Sequence, residues 1–503
     1  MSDQLVKVNG NADPEWALVR LAISEHANRA LARYEKLWAY YRNPIELVRS
    51  SGLVNDGGRG WYRSAQEIGL PARIVGRSEG AIGAIGGERG RREVVIENDI
   101  GWRIGTMVDF MFGSPIRIES LAKNEKTKAA IEEVLESVWE QSGGISMLQD
   151  LATLGHVFGH VDLLMRVDEE NLVGAHVEDA SQWISIEPID ARRGVAVMSL
   201  ADYRTIDAYG VHVQREVNPQ KKKRAKGGVF GNRRTVGNSA GGGAESKYES
   251  VTEVFTAQGW ARFVDGERLE GGDWMLIDGR LPVVHIQNMS QPFVYSGIGE
   301  VEALIGLQDE LNTRLSDRAS RVTMQSFKMY LAKGVEGFGS SGVGPGMVWS
   351  TDNPEARIES FGGDASSPSE ESHISEIREA MDKISGVPPV AGGVVRAKLG
   401  NLSSATALRI TLMSLIAKTM RKRVGYGRGI EQMSAMVLEV LDAAGVLKTG
   451  KKDRGVRVVW GGLPVIDDVE SLLKAGQAKV EIGVDPEEVL DDLGFGKADP
   501  GVV

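Results

Sequence analysis

The hydrophobic period of this chain changes twice along its length, and no other feature restricts its architecture as much. Across residues 183–292, short runs such as "WISIEP", "YGVHVQREV", "YESVTEVFTA" and "LPVVHIQN" alternate apolar with polar positions between turn residues. That is the two-residue period of half-buried strands. On both sides the period lengthens to that of a helix. "PEWALVRLAISEHANRALARYEKLWAYY" predicts one helix over 14–42, with Trp16, Val19, Leu21, Ile23 and Ala27 leading to Leu31, Tyr34, Leu37 and Trp38. "TKAAIEEVLESVWEQS" predicts an amphipathic helix over 127–142 that turns Ile131, Val134, Leu135, Val138 and Trp139 to one side. Strands gathered in one block, with helices before and after it, give an α+β fold class.

The remaining segments fill in this outline. Residues 43–93 are rich in Gly and Arg and read as irregular surface, and 98–120 reads as a short helix followed by a strand. A helix from 145, carrying Met147, Leu148, Leu151 and Leu154, passes into the strand-like "HVDLLMRV" at 160–167. Inside the β block, "QKKKRAKGGVFGNRRTVGNSAGGGAES" (220–246) combines a basic cluster with a glycine tract, the composition of an exposed, mobile insert. Helical spacing returns at 297–322, with Val301, Leu304, Ile305, Gln308, Leu311 and Leu315 on one face, and 323–363 switches to short strands with Gly-rich turns. "SPSEESHISEIREAMDKISG" predicts a helix over 367–386 with Ser367 or Ser369 as N-cap, acidic residues in its first turn, and Gly386 as the stop. From 403 a further helix turns Ala405, Leu408, Leu412, Leu415, Ile416 and Met420 inward. "GYGRG" at 425–429 is expected to kink or break it before another helix over 430–443. A basic linker, the strand "VRVVWGG" (456–462) and an acidic helical tail follow.

Composition narrows the function. A chain of 503 residues without cysteine has no disulfide, thiolate metal site or cysteine nucleophile, which fits assembly in a reducing cytoplasm. No signal peptide is expected at the N-terminus, and no apolar run approaches the roughly 18 residues of a membrane span. The net charge of −10 argues against a protein that coats nucleic acid by neutralising phosphates.

Motifs for catalysis fail one by one. "GVLKTGKK" (445–452) has the spacing of a phosphate-binding loop at Gly445, Gly450 and Lys451, but Lys452 stands where a magnesium-binding Ser or Thr belongs, and the stretch follows a helix. "HVFGH" places His156 and His160 four apart, yet Val157 occupies the position of the general base of zinc proteases, so packed histidines are expected rather than a metal site. There is no G-x-S-x-G elbow, and the acidic runs read as solvated helix faces. No enzyme, metal or cofactor is expected. Basic "KKKRAK" (221–226) reads as part of a solvated loop. "KTMRKRVGYGR" (418–428) is placed where cations suit a helix C-terminus, or where a partner subunit or DNA could be met.

One connection is unusual. "GVPPVAGGVVRAKLGNL", 386–402, joins two predicted helices with about 17 residues, where 2–8 are usual. Pro388 and Pro389 restrict the backbone, and Gly392 and Gly393 remove side-chain bulk. The order of elements around it resembles the portal proteins of tailed double-stranded DNA bacteriophages, over roughly residues 95–445. The resemblance rests on 281–317 and 385–424, including Pro282, Asn288, Asp309, Asn312 and Asp317.

That resemblance implies a portal-type subunit with a mixed α/β wing (1–296), a stem helix (297–318), a small α/β clip (319–366) and a second stem helix (367–385). A tunnel loop (386–402), a long kinked wing helix (403–429) and a C-terminal crown (430–503) would complete it. It implies a ring, usually of twelve subunits with thirteen also compatible, at one capsid vertex of the virion, assembled in the host cytoplasm. Double-stranded DNA would pass through its channel. The other partners would be the terminase large subunit, major capsid and scaffold proteins, and neck or adaptor proteins, with no membrane. In such a ring, Val387, Pro388, Pro389, Val390, Gly392, Gly393, Arg396 and Lys398 would face DNA, and Glu370, Glu371, Glu376, Glu379 and Asp382 would line the channel wall. The alternative is another phage head or neck structural protein, an adaptor or minor head protein, without a DNA channel.

Overall fold

The computed structural model of the protein describes residues 14–48, 61–75, 93–199, 201–202, 205–217, 247–277, 279–326, 329–333, 354–355, 357–361, 368–393, 405–464, 469–486 and 489. In chain order the elements begin α1 (Pro14–Arg29), α2 (Leu31–Arg42), β1 (Ile45–Val48), β2 (Trp61–Ser64), α3 (Ala72–Val75), α4 (Asp99–Phe112), β3 (Arg117–Ser120), α5 (Glu125–Gln141), α6 (Gly144–Phe158), β4 (His160–Val167) and α7 (Glu169–Leu172). The β block then supplies β5 (Ile184–Ile189), β6 (Gly194–Met198), β7 (Ile206–Val217), β8 (Lys247–Thr256), β9 (Gly259–Val264), β10 (Glu267–Asp273) and β11 (Val283–Gln287). Last come α8 (Ile305–Ser326), β12 (Met329–Lys333), β13 (Arg357–Phe361), α9 (Pro368–Ser385), α10 (Ala405–Ala443), β14 (Val456–Val459) and α11 (Val469–Glu481). Helix and sheet are mixed, as the double change of period requires. The insert 220–246 and most of 319–366 lie outside the described residues.

The chain divides into two compact units, the first made of 1–32, 105–299 and 386–503, the second of 33–104 and 300–385. Residues 33–104 thus group with the segment from 300, not with the rest of 1–296. The helix expected over 14–42 is accordingly two, broken at Ala30. α1 serves the first unit, while α2 buries Tyr34, Leu37 and Tyr40 in the second.

In the first unit, an antiparallel sheet of order β10-β9-β8-β7-β6 separates two cores. Ala208, Val254, Ala261 and Phe263 point to the face covered by Val19 and Trp16 of α1, where the Trp16 and Phe263 rings stack 4.7 Å apart. Their neighbours Tyr209, Val211 and Phe255 point to the opposite face, toward Leu164 of β4 and Ile189 of β5. Ala208 is followed by Tyr209, Val254 by Phe255, and Ala261 is preceded by Trp260, so the alternation in the sequence serves both cores at once. β4 is the centre of a second antiparallel sheet, β11-β4-β5, and β14 pairs with β3. α5 starts at Asn124, whose side chain accepts from the amides of Lys126 and Thr127, and α6 runs between Gly143 and Gly159, both left-handed.

Within this layer the buried carboxylate of Asp162 gathers three elements. Its Oδ1 lies 2.7 Å from Nδ1 of His285 on β11 and accepts from the Tyr295 hydroxyl at 2.7 Å, and its Oδ2 accepts from the Tyr209 hydroxyl on β7 at 2.8 Å. Burial alone would raise its pKa, but the hydrogen bond and charge of His285, with His160 and Tyr295, outweigh it and hold the carboxyl below the usual range.

α10 is one helix of 39 residues, not two. The expected interruption at 425–429 does not occur, because the three glycines there let other elements approach. A Cβ on Gly429 would lie 2.4 Å from Ile286 of β11, and one on Gly427 would touch the Trp460 ring. Between Gly425 and Gly427, Tyr426 is fully buried, its hydroxyl donating to Asn288 at 3.2 Å. Each glycine costs about 1 kcal/mol against alanine in a helix, which packing of this kind offsets. Leu412 and Leu415 are buried as expected, but Met420 is half exposed.

The second unit is organised by a polar ladder on α8. Gln308, Asn312 and Ser316, four residues apart, are all buried. They bind the extended segment before α4: Gln308 accepts from the Ile100 amide and donates to the Glu97 carbonyl, Asn312 accepts from the Glu97 amide at 3.0 Å, and Ser316 accepts from the Val95 amide at 3.0 Å. Asn312 also donates to Gln66 at 3.0 Å. The helix expected from 297 begins later, with a 3-10 turn at Glu302–Leu304 before α8.

Two measurements test this account. Asn312→Leu takes the side-chain partner from the Glu97 amide and from the Gln66 Oε1, whose own amide stays bound to Tyr40 and Asn98, and should cost about 3 kcal/mol in urea unfolding. Asp317→Ala removes partly exposed pairs with Arg73 and Arg314 and should cost under about 1 kcal/mol. For Asp162, the lowered native pKa means that its contribution is fully present above the unfolded carboxylate value of about 3.9 and is lost as pH falls through the lower native value. Asp162→Asn should therefore be less stable than the natural chain at pH 7, and the gap should shrink on acidification, as thermal unfolding across that pH range would show.

Candidate functional site

The turn after α9 is built to hold one shape. Gly386 takes φ +71°, the left-handed geometry that ends a helix. A Cβ there would lie 2.7 Å from the Ser414 hydroxyl of α10, so the turn is seated directly on that helix. Pro388 follows in an extended conformation, and Pro389–Gly392 forms a 3-10 turn with Pro389 at its first position. The Ala391 amide donates to the Pro388 carbonyl at 3.0 Å, and Gly393, at φ +78°, closes the turn by donating to Val390 at 3.1 Å. Two prolines and two hydrogen bonds remove most of the freedom that such a connection would have in a flexible chain.

The structure separates the residues expected on this loop. Pro388, Pro389 and Val390 are half-buried, and Gly392 and Gly393 are exposed. Val387 is fully buried. Its apolar side chain anchors the turn, because a valine between a left-handed glycine and a proline has one side toward the protein and no polar atom to keep in water. Arg396 and Lys398 lie outside the described residues.

The acidic residues of α9 divide in the same way. Asp382 accepts from Arg103 at 2.6 Å, and that guanidinium, itself 1% exposed, also binds Asp99 at 2.7 Å and Ser385 at 2.8 Å. Glu370 pairs with Arg321. These two carboxylates are neutralised by partners of the second unit and serve its packing. Glu371, Glu376 and Glu379 are exposed, the latter two within hydrogen-bond reach of Ser372 and Ser375 one turn earlier. Arg378, the arginine of the same helix, is paired with Glu97, so Glu371, Glu376 and Glu379 give the exposed side of α9 a negative potential.

The residues that carried the resemblance turn out to be joints. Asn288 donates from its amide to the Gly159 carbonyl at 2.9 Å and from its side chain to the Ile298 carbonyl at 3.1 Å, while accepting from Tyr426. The Pro282 carbonyl accepts from the Met165 amide. Asp309 accepts from the Tyr40 hydroxyl at 2.7 Å, burial pushing its carboxyl up and Tyr40's phenol up as well. Asp317 binds Arg73 at 2.6 Å. Ser316, Gln66 and Tyr426, which complete these joints, were not singled out in the sequence, and Gln308 was named only as part of a helix face. The only available signal was the spacing of four between Gln308, Asn312 and Ser316 on an otherwise apolar stripe.

Among the described residues, no group of three His, Cys, Asp or Glu is placed to hold a metal. Gly159 turns the chain between His156, at the end of α6, and His160, at the start of β4, so the two share no helix face. The phosphate-loop spacing falls on the turn after α10, with Gly445 left-handed and Arg454 bound to Glu439 and Asp442.

Compared with known proteins, the sequence matches the model of the phage portal protein family of SPP1 Gp6-like type over residues 23–490. The chain belongs to that family. The portal family is a structural one. No curated protein matches the sequence. Solved structures that resemble the portal chain include one from the virion of a native gene transfer agent particle, at 13% identity and TM-score 0.43, covering 85% of this chain and 99% of that one. Another comes from the neck of an empty gene transfer agent particle computed with C6 symmetry, at 13% identity and TM-score 0.44, with the same coverage. No helix among the described residues is long and apolar enough to cross a membrane.

The geometry of the turn makes a direct prediction. Gly386→Ala combines a strained φ with a contact against Ser414 and should lower the melting temperature measurably, by about 1–3 kcal/mol in stability. Gly393→Ala, strained but with open space around it, should cost less. Calorimetry of the two variants side by side checks the order.

Proposed function

We propose that this chain is the subunit of a portal ring that stands at one vertex of a capsid and conducts double-stranded DNA during packaging and ejection. The observation that carries this reading is the family match over 23–490, which spans both compact units. In this reading 297–318 and 367–385 are the two stem helices, 319–366 is the clip that meets the terminase motor and later the neck proteins, and the loop 386–402 lies at the channel. The ring holds twelve or thirteen copies, binds capsid and scaffold proteins through its outer parts, and has no catalytic role of its own.

The chemistry of the turn suits a conduit. The exposed part of its described residues is Gly392 and Gly393, flanked by half-buried Pro388, Pro389 and Val390, so the stretch 386–393 offers shape and apolar contact, and the loop's cations, Arg396 and Lys398, follow it in the sequence. A surface of that kind can touch a moving duplex without gripping it, since tight DNA binding needs many Lys or Arg contacts to phosphate. Exposed Glu371, Glu376 and Glu379 add repulsion toward phosphate along the stem. Asp382 and Glu370 support the same wall indirectly, through Arg103 and Arg321.

Native mass spectrometry and electron microscopy of the purified chain test the ring. A particle near twelve or thirteen times 54.4 kDa with a central hole is expected, and a chain that stays monomeric in the presence of scaffold and capsid protein would overturn the reading. Deletion of 388–393 should leave rings of unchanged size yet abolish DNA packaging in a reconstituted reaction. Packaging at the natural rate by the deleted form would remove the turn from the mechanism.

A further inference from the structure

Helix α10 is apolar on two faces in its first half. One face, with Leu412, Leu415 and Tyr426, is buried in the first unit. The other carries Ile410, Met413, Ala417, Met420 and Val424, spaced alternately three and four residues apart, the pattern of a helix seam. Those side chains are exposed: Ile410 63%, Met413 61%, Met420 48% and Val424 67%. A groove of about 1020 Å³ runs beside them, bounded on its far side by Trp460 and Leu463. Single exposed apolar residues need no explanation, but a continuous seam along four helical turns marks an interaction surface.

Charge identifies what can cover it. Between 405 and 430 the helix has six basic residues, Arg409, Lys418, Arg421, Lys422, Arg423 and Arg428, and no acidic one. Lys422 and Arg423 are turned inward, with Arg423 donating to the carbonyls of Gly461 and Phe110, but Arg409, Arg421 and Arg428 are exposed on the flanks of the seam. The same face of a second copy would bring these cations against one another. A two-fold contact is therefore disfavoured, and the partner face must be a different one, apolar and acidic.

The first unit has such a face. A trough of about 380 Å³ between β3, α5 and α6 has a floor that includes Ile116, Ile118 and Leu148. Its walls carry four glutamates, among them Glu132, Glu136 and Glu140, against Arg117 and Lys128. Glu136 and Glu140 are exposed. Unbranched methionines such as Met413 and Met420 adapt readily to an irregular apolar recess of that size.

We propose that the exposed seam of α10 is a subunit contact that docks on the acid-rich trough between β3, α5 and α6 of a second copy of this chain. This inference rests on the ring reading and adds which surfaces meet. Because the two faces differ, the contact is heterologous, and repetition of it gives a closed ring or an open chain rather than a dimer.

The absence of cysteine from the sequence makes the test clean. In the full-length chain, Met413→Cys and Glu136→Cys are made singly and together, oxidised mildly, and run on a denaturing gel. The double variant should give a ladder of covalent oligomers, a mixture of the two single variants should give dimers only, and each single variant alone should stay monomeric. Dimers from Met413→Cys alone would mean a two-fold contact and overturn the proposal. So would the absence of any ladder at concentrations where native mass spectrometry finds the unmodified chain assembled. A ladder without a closed ring in microscopy would uphold this contact while the ring reading failed. An unmodified chain that stays monomeric and a double variant that gives no ladder would overturn both. Arg428→Ala should weaken assembly at low salt and reduce its dependence on ionic strength, Arg409 and Arg421 retaining the rest, and unchanged assembly would count against the charge argument.

Discussion

The close approach of α10 to β11 is the constraint around which the first unit is arranged. Gly429 lets Ile286 sit where a side chain would be, Tyr426 reaches Asn288, and Asn288 in turn ties the start of β4 to the segment at Ile298. The same helix binds Trp139 of α5 through Ser434 at 3.1 Å and packs its second half, from Ile430 to Leu441, into the core. Fixed at that end, it provides a rigid seat for the turn at 386–393 through Ser414. A loop placed by an anchored helix keeps its geometry at little entropic expense, which is the requirement for a feature meant to meet a moving partner.

The second unit solves a different problem. Its extended segment 93–98 has backbone groups that no strand pairs, and the α8 ladder of Gln308, Asn312 and Ser316 supplies their partners. Buried amides and a hydroxyl used in this way are demanding, because each must be fully satisfied or the site is worse than an apolar one. They also fix register: a helix shifted by one residue would lose every bond. Arg103, saturated by Asp99, Asp382 and Ser385, has the same character on α4. Conformational specificity in this unit comes from polar matching, with apolar burial around it.

Electrostatics sorts the surface into roles. Carboxylates that sit beside an arginine, Asp382 and Glu370, are spent on packing, while Glu371, Glu376 and Glu379 leave a field outside. On α10, the inward Arg423 finds two carbonyls and an aromatic ring, lying 5.0 Å from the Trp460 centroid, the inward Lys422 lies against the Met107 sulfur, and the cations that face outward border an apolar seam. A chain with net charge −10 that concentrates six cations and no acid between residues 405 and 430 of one helix has made that stretch complementary to much of the rest of itself.

By itself the sequence determined the kinds of element and the two cores of the large sheet, because side-chain period is a local property set by backbone geometry. It determined the stops as well: Gly386 ends α9 and Gly159 ends α6, each in the left-handed region that favours glycine. The portal resemblance was legible in element order and in Asn288, Asp309, Asn312 and Asp317. Only the tertiary structure decided what those polar residues do, since a hydrogen bond between Asn312 and Gln66 joins positions 246 residues apart and has no local signature. It alone decided that "GYGRG" continues a helix, because the packing that outweighs glycine's entropy comes from β11 and Trp460. It alone buried Val387 and exposed Met420: apolar character says that a residue gains by leaving water, and only the neighbours brought by the fold say on which side that happens.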